Sequence, residues 1–412
     1  MHSLSSITVL ECSRCGAQHD PDIPQNLCQS CHSGPLLARY DLQAARRTLT
    51  AEALRSRQND MWRYHELLPV RDAGNIVSMG EGRTPLVKLE TLGPAIGLQH
   101  LSLKDEGLCP TGTFKARGAS ASVSKLCEWG VRAIALPTAG NAGGAFACYG
   151  ARAGLEVHIA MPADAPQGAW KQAVAAGAKV YLIDGPFAHS LKFMREAIAR
   201  FGWYNASTFN EPWRIEGKKT MGFELFEQFG NAPPDVIIYP TGGGVGVIAI
   251  YKAFQELVGL GLLEPGWRCR LIAVQTEGCY RLKAALDADA DDTTPWEGDI
   301  NTLVPGMAGP HYTLGDHVAL QAIRSTGGDV AVVNDQEIMA AMRDLGSAEG
   351  LFICPEGAAT LAAARKLVKA GVLGRDERIV LLNTGNGLKY QEFVTETPYD
   401  DPSAWRRLQS VQ

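Results

Sequence analysis

Short runs of apolar residues alternate with glycine-rich turns and helical stretches from about residue 80 almost to the end of the chain. The six clearest runs have the length and the branched side chains of buried β-strands, and they span residues 134–136, 157–160, 180–183, 236–239, 271–274 and 379–382. Strands that alternate with helices in this way form parallel sheets covered by helices. The pattern therefore predicts an α/β fold with two open, twisted parallel sheets, and ligands are expected at the carboxyl ends of the strands.

The chain before residue 80 follows a different pattern. Residues 42–66 have Ala, Leu and Arg at helical spacing, which predicts a helical connector. Residues 1–41 are rich in cysteine and contain no long apolar run. We therefore predict a zinc-ribbon-like segment at 1–41 and a main region at 42–412, with a smaller α/β subdomain at roughly 120–225.

The composition is typical of a soluble globular protein, because 46% of its 412 residues are hydrophobic and 20% are charged. The formal net charge of -5 argues against nucleic acid as a partner, since binding to phosphate backbones needs clustered Lys and Arg. No apolar run is long enough to cross a membrane, and residues 1–10 do not have the pattern of a signal peptide. We expect a cytoplasmic protein.

Four of the ten cysteines form two C-x-x-C pairs, Cys12 with Cys15 and Cys28 with Cys31. The linker between the pairs is too polar to form a core, whereas four thiolates can surround Zn²⁺ tetrahedrally and supply folding energy. We predict a zinc ribbon, with two alternatives: thiols that hold no metal, and c-type haem attachment, because C-Q-S-C-H at 28–32 matches that motif. The other six cysteines show no ligand spacing and are interpreted as mostly buried thiols: Cys109, Cys127, Cys148, Cys269, Cys279 and Cys354.

Lys115 lies in the segment P-T-G-T-F-K-A-R-G at residues 110–118, where a turn leads into a predicted helix. Neighbouring N–H groups and the helix dipole can lower the pKa of a lysine there, which favours its reaction with an aldehyde. A lysine at such a place is more often solvated, so the motif is informative only together with others.

A glycine-rich turn, P-T-G-G-G-V-G at residues 240–246, joins the predicted strand 236–239 to a helical run. Glycines allow successive N–H groups to converge on an anion at a helix N-terminus, so this is either a phosphate-binding turn or only a tight turn. It matches neither a P-loop nor a dinucleotide-binding loop. Two similar turns, at residues 137–144 and 383–389, provide Asn141 and Thr384.

Together these elements resemble the fold-type II pyridoxal phosphate enzymes, the tryptophan synthase β superfamily, and within it they look most like the threonine synthases. The resemblance covers nearly the whole chain. It includes the cysteine ribbon, residues 61–64, G-E-G-R-T-P at 80–85, residues 104–118, W-R-I-E-G-K-K-T at 213–220 and residues 384–389. It implies a pyridoxal phosphate-dependent lyase of threonine biosynthesis, from a family whose members are commonly homodimers.

The resemblance also implies a role for each motif. Lys115 would bind the cofactor covalently and then transfer protons, with Phe114 behind the pyridine ring. Asn141 would hydrogen-bond the 3′-oxygen, and Thr384 would face the ring nitrogen with a neutral hydroxyl, which favours elimination or replacement over transamination. The cofactor phosphate would be held by the backbone N–H groups of Gly242, Gly243, Gly244, Val245 and Gly246.

A threonine synthase would convert O-phospho-L-homoserine and water to L-threonine and phosphate. The resemblance assigns Lys104, Thr138 and Arg214 to this substrate, because its phosphate needs cations and hydrogen-bond donors. Lys218 and Lys219 either assist or are solvated surface residues. Glu356 is a possible carboxylate of the site, but we interpret it as a charge at a helix N-terminus.

Several positions depart from the usual threonine synthase motifs: Ala116 stands where Asp is usual, Thr138-Ala139 where Ser-Thr is usual, and Thr208-Phe209 where Asn-Ser is expected. The last change removes two phosphate donors, a loss of roughly 2–5 kcal/mol. An enzyme of β-elimination or β-replacement, such as a serine or threonine ammonia-lyase or a cysteate synthase, is therefore the alternative function. A cofactor-binding scaffold without catalysis is a third hypothesis.

Overall fold

The computed structural model describes residues 3–298, 300–309 and 314–394, which form thirteen β-strands. In chain order the strands are β1 (Ile7–Cys12), β2 (Gln18–His19), β3 (Leu36–Tyr40), β4 (Leu86–Lys88), β5 (His100–Asp105), β6 (Ala133–Pro137), β7 (Glu156–Pro162), β8 (Lys179–Ile183), β9 (Tyr204–Asn205), β10 (Val236–Pro240), β11 (Arg270–Thr276), β12 (Val330–Val333) and β13 (Arg378–Asn383). The six predicted strands are confirmed, since they lie within β6, β7, β8, β10, β11 and β13.

The described residues also form thirteen α-helices. These are α1 (Leu42–Thr48), α2 (Ala51–Ser56), α3 (Leu92–Ala95), α4 (Lys115–Glu128), α5 (Asn141–Ala153), α6 (Gln167–Ala175), α7 (Phe187–Phe201), α8 (Trp213–Gln228), α9 (Val245–Gly259), α10 (Arg281–Asp287), α11 (Asp316–Ser325), α12 (Asp335–Glu349) and α13 (Pro355–Lys369). Short 3₁₀ helices lie at Met61–Leu67, Ala73–Asn75, Glu106–Leu108, Pro305–Met307, Gly387–Lys389 and Gln391–Phe393.

The strands form three sheets. A small antiparallel sheet with the order β2-β1-β3 contains the N-terminal segment. The larger sheet has the order β12-β11-β10-β13-β5-β4, and the smaller parallel sheet has the order β8-β7-β6-β9. The predicted α/β fold with two parallel-sheet layers after a small cysteine-rich segment is confirmed. One correction applies: the edge strand β4 pairs antiparallel with β5, so the larger sheet is not wholly parallel.

Helices pack against the central strands of the two main sheets: α13 lies against β10 and β13, and α5 and α7 lie against β7. All five residues of β10 are buried, as are five of the six residues of β13. The strands of the smaller sheet all lie within the predicted subdomain at 120–225, whose bounds stay a prediction. In the part of the chain that the structure describes, no helix is long and apolar enough to cross a membrane.

The predicted helical connector at residues 42–66 is helical over most of its length, but it is not one continuous helix. The segment contains two short helices, α1 and α2, and then the 3₁₀ helix Met61–Leu67. The Thr50 side chain accepts a hydrogen bond from the Ala53 N–H at 3.1 Å, and the Asp60 side chain accepts one from the Trp62 N–H at 2.9 Å. Each cap starts a new helix at a residue whose own backbone is extended, which interrupts the helical spacing of the sequence.

A buried group of four charged side chains joins β5, α4 and α8. Arg117 donates to Glu106 at 2.6 and 2.7 Å and to Glu224 at 2.6 and 2.8 Å. Lys104 donates to Glu224 at 2.8 Å and to the Thr84 carbonyl oxygen at 2.7 Å. The four charged side chains are 0% exposed. Burial alone would raise the pKa of Glu224, but Arg117 and Lys104 hold that pKa well below its usual value.

Replacing Glu224 by Gln is expected to lower the free energy of unfolding by about 3–5 kcal/mol, because two buried cations lose a charged partner. Urea unfolding measures the change. Glu90→Gln is the matched control: Glu90 lies 3.7 Å from Lys88 at an exposed position, and its loss is expected to leave the unfolding midpoint unchanged. Equal midpoints for the two variants would contradict the importance of the buried group.

Candidate active site

Four loops meet at the carboxyl ends of the parallel strands. Those after β5, β10 and β13 leave the larger sheet, and the loop after β6 leaves the smaller one. The loops after β5 and β13 are joined directly: Thr113 forms a bridge with Gly385, and the Phe114 N–H donates to the Thr384 carbonyl oxygen at 3.1 Å. The predicted residues Phe114, Lys115 and Thr384 are therefore neighbours.

Lys115 is the first residue of α4, and its Nζ lies 3.8 Å from the centroid of the Phe114 ring. None of the described residues accepts a hydrogen bond from this amine. Burial lowers its pKa to about 8, against the opposing charge of Glu356, and Arg214 and Lys389 lower it further. A larger fraction of the amine is then neutral near neutral pH, as a nucleophile or proton acceptor requires.

The glycine-rich turn lies between the end of β10 at Pro240 and the start of α9 at Val245. Among the described residues, none accepts a hydrogen bond from the N–H groups of residues 242–247. These N–H groups are the positive end of the dipole of α9. A Cβ at Gly242 would lie 2.6 Å from the Gly306 carbonyl oxygen, so the close packing of the turn requires glycine there. The turn therefore presents unpaired donors suited to an anion.

Asn141 begins α5 directly after the loop that follows β6. The Thr138 side chain accepts a hydrogen bond from the Gly140 N–H at 3.0 Å, and Gly140 has a φ of 151°, which favours glycine. The Asn141 amide donates to the Tyr390 hydroxyl at 2.6 Å, and this hydroxyl donates to Glu356 at 3.0 Å. Asn141 is thus linked to the carboxylate whose charge acts on Lys115.

Arg214 lies in the first turn of α8 and is 4% exposed. Its Nε donates to Glu211 at 2.7 Å, one terminal nitrogen donates to the Thr208 hydroxyl at 3.0 Å, and the other donates to the Ala206 carbonyl oxygen. Its guanidinium stands 4.7 Å from the centroid of the Phe146 ring of α5. Each terminal nitrogen keeps one N–H that no described residue accepts, so Arg214 retains donors for an anion.

Lys104 does not lie with these residues. It is 0% exposed, and its Nζ donates to the Thr84 carbonyl oxygen, to Glu224 and to Gln228. An ammonium group has three hydrogens, so none is left for a substrate. We therefore withdraw Lys104 from the substrate-binding residues.

Two lysines that the sequence left open also prove different from each other. Lys219 is buried in ion pairs with Glu216 and Glu256 and is not a solvated surface residue. Lys218 is 3% exposed, and its Nζ stands 4.6 Å from the centroid of the Phe114 ring that Lys115 contacts. Adjacent residues of a helix point in directions about 100° apart, so the two amines lie in different surroundings. The sequence alone did not show which of the two faces the site.

Glu356 is a charge at a helix N-terminus, as the sequence indicated, and it is also a residue of the candidate site. It lies in the first turn of α13, as interpreted, but it also contacts Tyr390 and acts on Lys115. Its Oε2 is buried and has no hydrogen-bond partner among the described residues. Cys354 was interpreted as one of the buried thiols, and it is buried beside Thr384, with Sγ 3.6 Å from Oγ1. Of the six scattered cysteines, Cys127 and Cys148 are only half-buried.

The four N-terminal cysteines come together outside this site. The sulfur atoms of Cys12, Cys15, Cys28 and Cys31 all lie within 4.8 Å of one another. The N–H groups of Arg14 and Ser30 donate to the sulfurs of Cys12 and Cys28 at 3.4 and 3.3 Å. This donor set suits Zn²⁺, which prefers four thiolates in structural sites.

The cysteine-rich segment also contacts the loop that holds Arg214. The Asn26 amide donates to the carbonyl oxygens of Asn205 and Asn210 at 2.8 and 2.9 Å. Thr208 and Ala206, which accept hydrogen bonds from Arg214, lie between these two residues. The N-terminal segment is therefore connected to this loop through Asn26 and also through Gln25, whose carbonyl oxygen accepts a hydrogen bond from the Tyr204 hydroxyl at 2.9 Å.

The chain is similar to known enzymes over most of its length. Residues 77–385 match the family model described as pyridoxal-phosphate dependent enzyme. The threonine synthase of Methanosarcina acetivorans is 36% identical over 94% of this chain and 93% of that protein. The threonine synthase of Methanocaldococcus jannaschii is 34% identical over 92% of both. Among solved structures, maize serine racemase aligns with a TM-score of 0.64 at 23% identity over 80% of this chain and 92% of that chain, which shows a shared fold.

Proposed function

The chain belongs to the family of pyridoxal-phosphate dependent enzymes, and from that premise we propose that it acts as a threonine synthase on O-phospho-L-homoserine. The products would be L-threonine and phosphate. The proposal rests on one observation, the position of the Lys115 amine. Its pKa is lowered to about 8, and it lies among loops that offer backbone N–H groups without an acceptor among the described residues and the buried Arg214.

The residues of the site fit pyridoxal phosphate. The donors of residues 242–247, the amine of Lys115 and the buried Glu356 Oε2 all lack partners among the described residues, although buried polar groups are normally paired. We propose that the cofactor's aldehyde binds Lys115 and that its phosphate binds the N–H groups of Gly242, Gly243, Gly244, Val245 and Gly246. When bound, the cofactor withdraws electrons from the carbon that carries the substrate's amino group.

Three further side chains are proposed to orient the cofactor. Phe114 would lie against the ring, because its own ring already contacts the Lys115 amine. Asn141 would exchange its hydrogen bond with Tyr390 for one to the ring's 3′-oxygen. Thr384 would place a neutral hydroxyl at the ring nitrogen, which favours elimination and replacement.

Different residues of the chain would transfer protons and bind the anionic groups of the substrate. Lys115 would accept the proton from Cα of the substrate and transfer protons at Cβ, because its pKa of about 8 leaves more of the amine neutral than in an ordinary lysine. Arg214 and the Thr138 loop would bind the anionic groups of the substrate. One proton would be removed from Cβ, phosphate would leave Cγ, and a proton would be added at Cγ to form the methyl group. The hydroxyl of water would be added at Cβ, the remaining proton of water would go to the released phosphate, and a proton would return to Cα.

One observation favours the alternative of β-elimination or β-replacement. Thr208 already accepts a hydrogen bond from Arg214, and Phe209 is 4% exposed and packs against Gly315. Phe209 therefore offers no side-chain donor to a phosphate group. A serine or threonine ammonia-lyase needs no phosphate site and would tolerate this arrangement.

One preparation assayed for both reactions tests the function. We expect phosphate release from O-phospho-L-homoserine with an equal amount of threonine. Arg214→Gln is expected to lower kcat/KM about tenfold to a hundredfold, because one charge-assisted contact is lost. The bound cofactor's visible absorbance should be retained. Ammonia and a 2-oxo acid formed from serine or threonine, without threonine formation from the phosphorylated substrate, would establish the alternative instead.

We propose that the four cysteines bind Zn²⁺. The metal would keep the N-terminal segment rigid where Asn26 hydrogen-bonds the loop at residues 205–210, which in turn contacts Arg214. The geometry of the four sulfurs and the two N–H···S contacts support this. We also retain the expectations of a homodimer and of a cytoplasmic location.

Purified protein is expected to hold about one zinc ion per chain, which a mercurial reagent releases to a metal-sensitive dye. Cys28→Ser should lower the zinc content and the temperature of unfolding, because structural zinc contributes folding energy. Cys127→Ser is the matched control, since Cys127 is half-buried and lies outside the cluster. A metal-free wild-type protein, or equal zinc content in Cys28→Ser, would contradict the proposal.

A further inference from the structure

Lys218 differs from the other buried lysines of the described chain. Four of them each have a carboxylate partner: Lys104 with Glu224 at 2.8 Å, Lys125 with Glu128 at 2.5 Å, Lys219 with Glu216 at 2.6 Å and Lys252 with Glu216 at 3.0 Å. Lys218 is 3% exposed and has neither an ion pair nor a hydrogen bond to any described residue. A buried ammonium group without a partner is costly, so such a group is expected to meet a ligand.

The Lys218 amine is directed toward the active site. Its Nζ stands 4.6 Å from the centroid of the Phe114 ring, and the Lys115 Nζ stands 3.8 Å from the same centroid. Lys218 follows Arg214 by four residues in α8, a spacing that places both side chains on one face of the helix. Two cations from α8 therefore lie beside the amine that starts α4.

The charges around Lys218 are not balanced. Burial lowers its pKa well below the usual value, and the positive charges of Lys115 and Arg214 lower it further, while Glu211 opposes them. Glu211 is already bound to Arg214 at 2.7 Å. Binding of a dianion would raise the pKa of Lys218, because the negative charge favours the ammonium form and the anion's oxygen atoms accept its hydrogens.

We propose that Lys218 is a specificity-determining residue that binds, together with Arg214, the phosphate group of the substrate. A phosphomonoester carries between one and a half and two negative charges near neutral pH, which matches two adjacent cations better than a single carboxylate does. This inference rests on the proposed phosphorylated substrate. The Lys218 amine makes up for the side-chain donor that Phe209 does not supply.

Calorimetric titration of the holoenzyme with O-phospho-L-serine, L-serine and inorganic phosphate tests the inference without turnover of the proposed substrate. Lys218→Met should weaken binding of O-phospho-L-serine and phosphate about tenfold to a hundredfold, as expected for the loss of one charge-assisted contact. Binding of L-serine should change less than about twofold, since it has no phosphate. Lys218→Arg should restore part of the affinity for both phosphorylated probes and phosphate.

Lys192→Met is the matched control, because Lys192 is exposed on α7 and its loss removes the same charge outside the site. It should bind all three probes as the wild type does. The visible absorbance of the bound cofactor should be equal in all variants, which shows that the site remains folded.

Three results would overturn the inference. An equal loss of affinity for L-serine would assign Lys218 to the α-carboxylate, and unchanged affinities would leave it without a binding role. A lower kcat with an altered pH profile and unchanged phosphate affinity would make Lys218 a proton-transfer group. If the phosphate-dependent binding is seen but O-phospho-L-homoserine gives no threonine, the proposed function fails and the anion site stands.

Discussion

The ion pairs that Arg117 forms with Glu106 and Glu224 fix α4 between the larger sheet and α8. Lys115 precedes Arg117 by two residues in α4, so these ion pairs also determine where its amine lies. Glycine contributes to the close approach: a Cβ at Gly118 would lie 3.3 Å from the Arg214 Cα. The distance between the amine and the cations of α8 is thus a consequence of the helix packing, and the chemistry of the site depends on it.

Two groups of buried charged residues include members of both α4 and α8. One group is electrically balanced, and the other has an excess of positive charge. In the core, Lys104 and Arg117 are balanced by Glu106 and Glu224, and the group needs no ligand. Near the strand ends, Glu211 and Glu356 are the carboxylates that oppose the positive charges of Lys115, Lys218, Arg214 and Lys389 among the described residues. Burial lowers the pKa of Lys115, Lys218 and Lys389, and neighbouring positive charges lower the pKa of Lys115 and Lys218 further. This imbalance makes the amine of Lys115 reactive and prepares the site for an anionic substrate.

Sequence reasoning predicted the strands and the active-site loops because both depend on local patterns: apolar runs, and glycines between a strand and a helix. It did not predict the location of Lys104, since the partner Glu224 lies 120 residues away along the chain and only the fold brings them together. Glu356 could be assigned to a helix start but not to the pocket for the same reason. The break between α1 and α2 was not predicted, because Thr50 caps a new helix within a continuous helical pattern.

The covalent attachment of the cofactor to Lys115 is the central claim. Its most direct measurement is mass spectrometry of peptides from holoenzyme that has been reduced with borohydride. We expect one modified lysine per chain, at Lys115, because its amine has a lowered pKa and no partner among the described residues. Modification at Lys218 instead, or the absence of any modified peptide from cofactor-saturated protein, would contradict it.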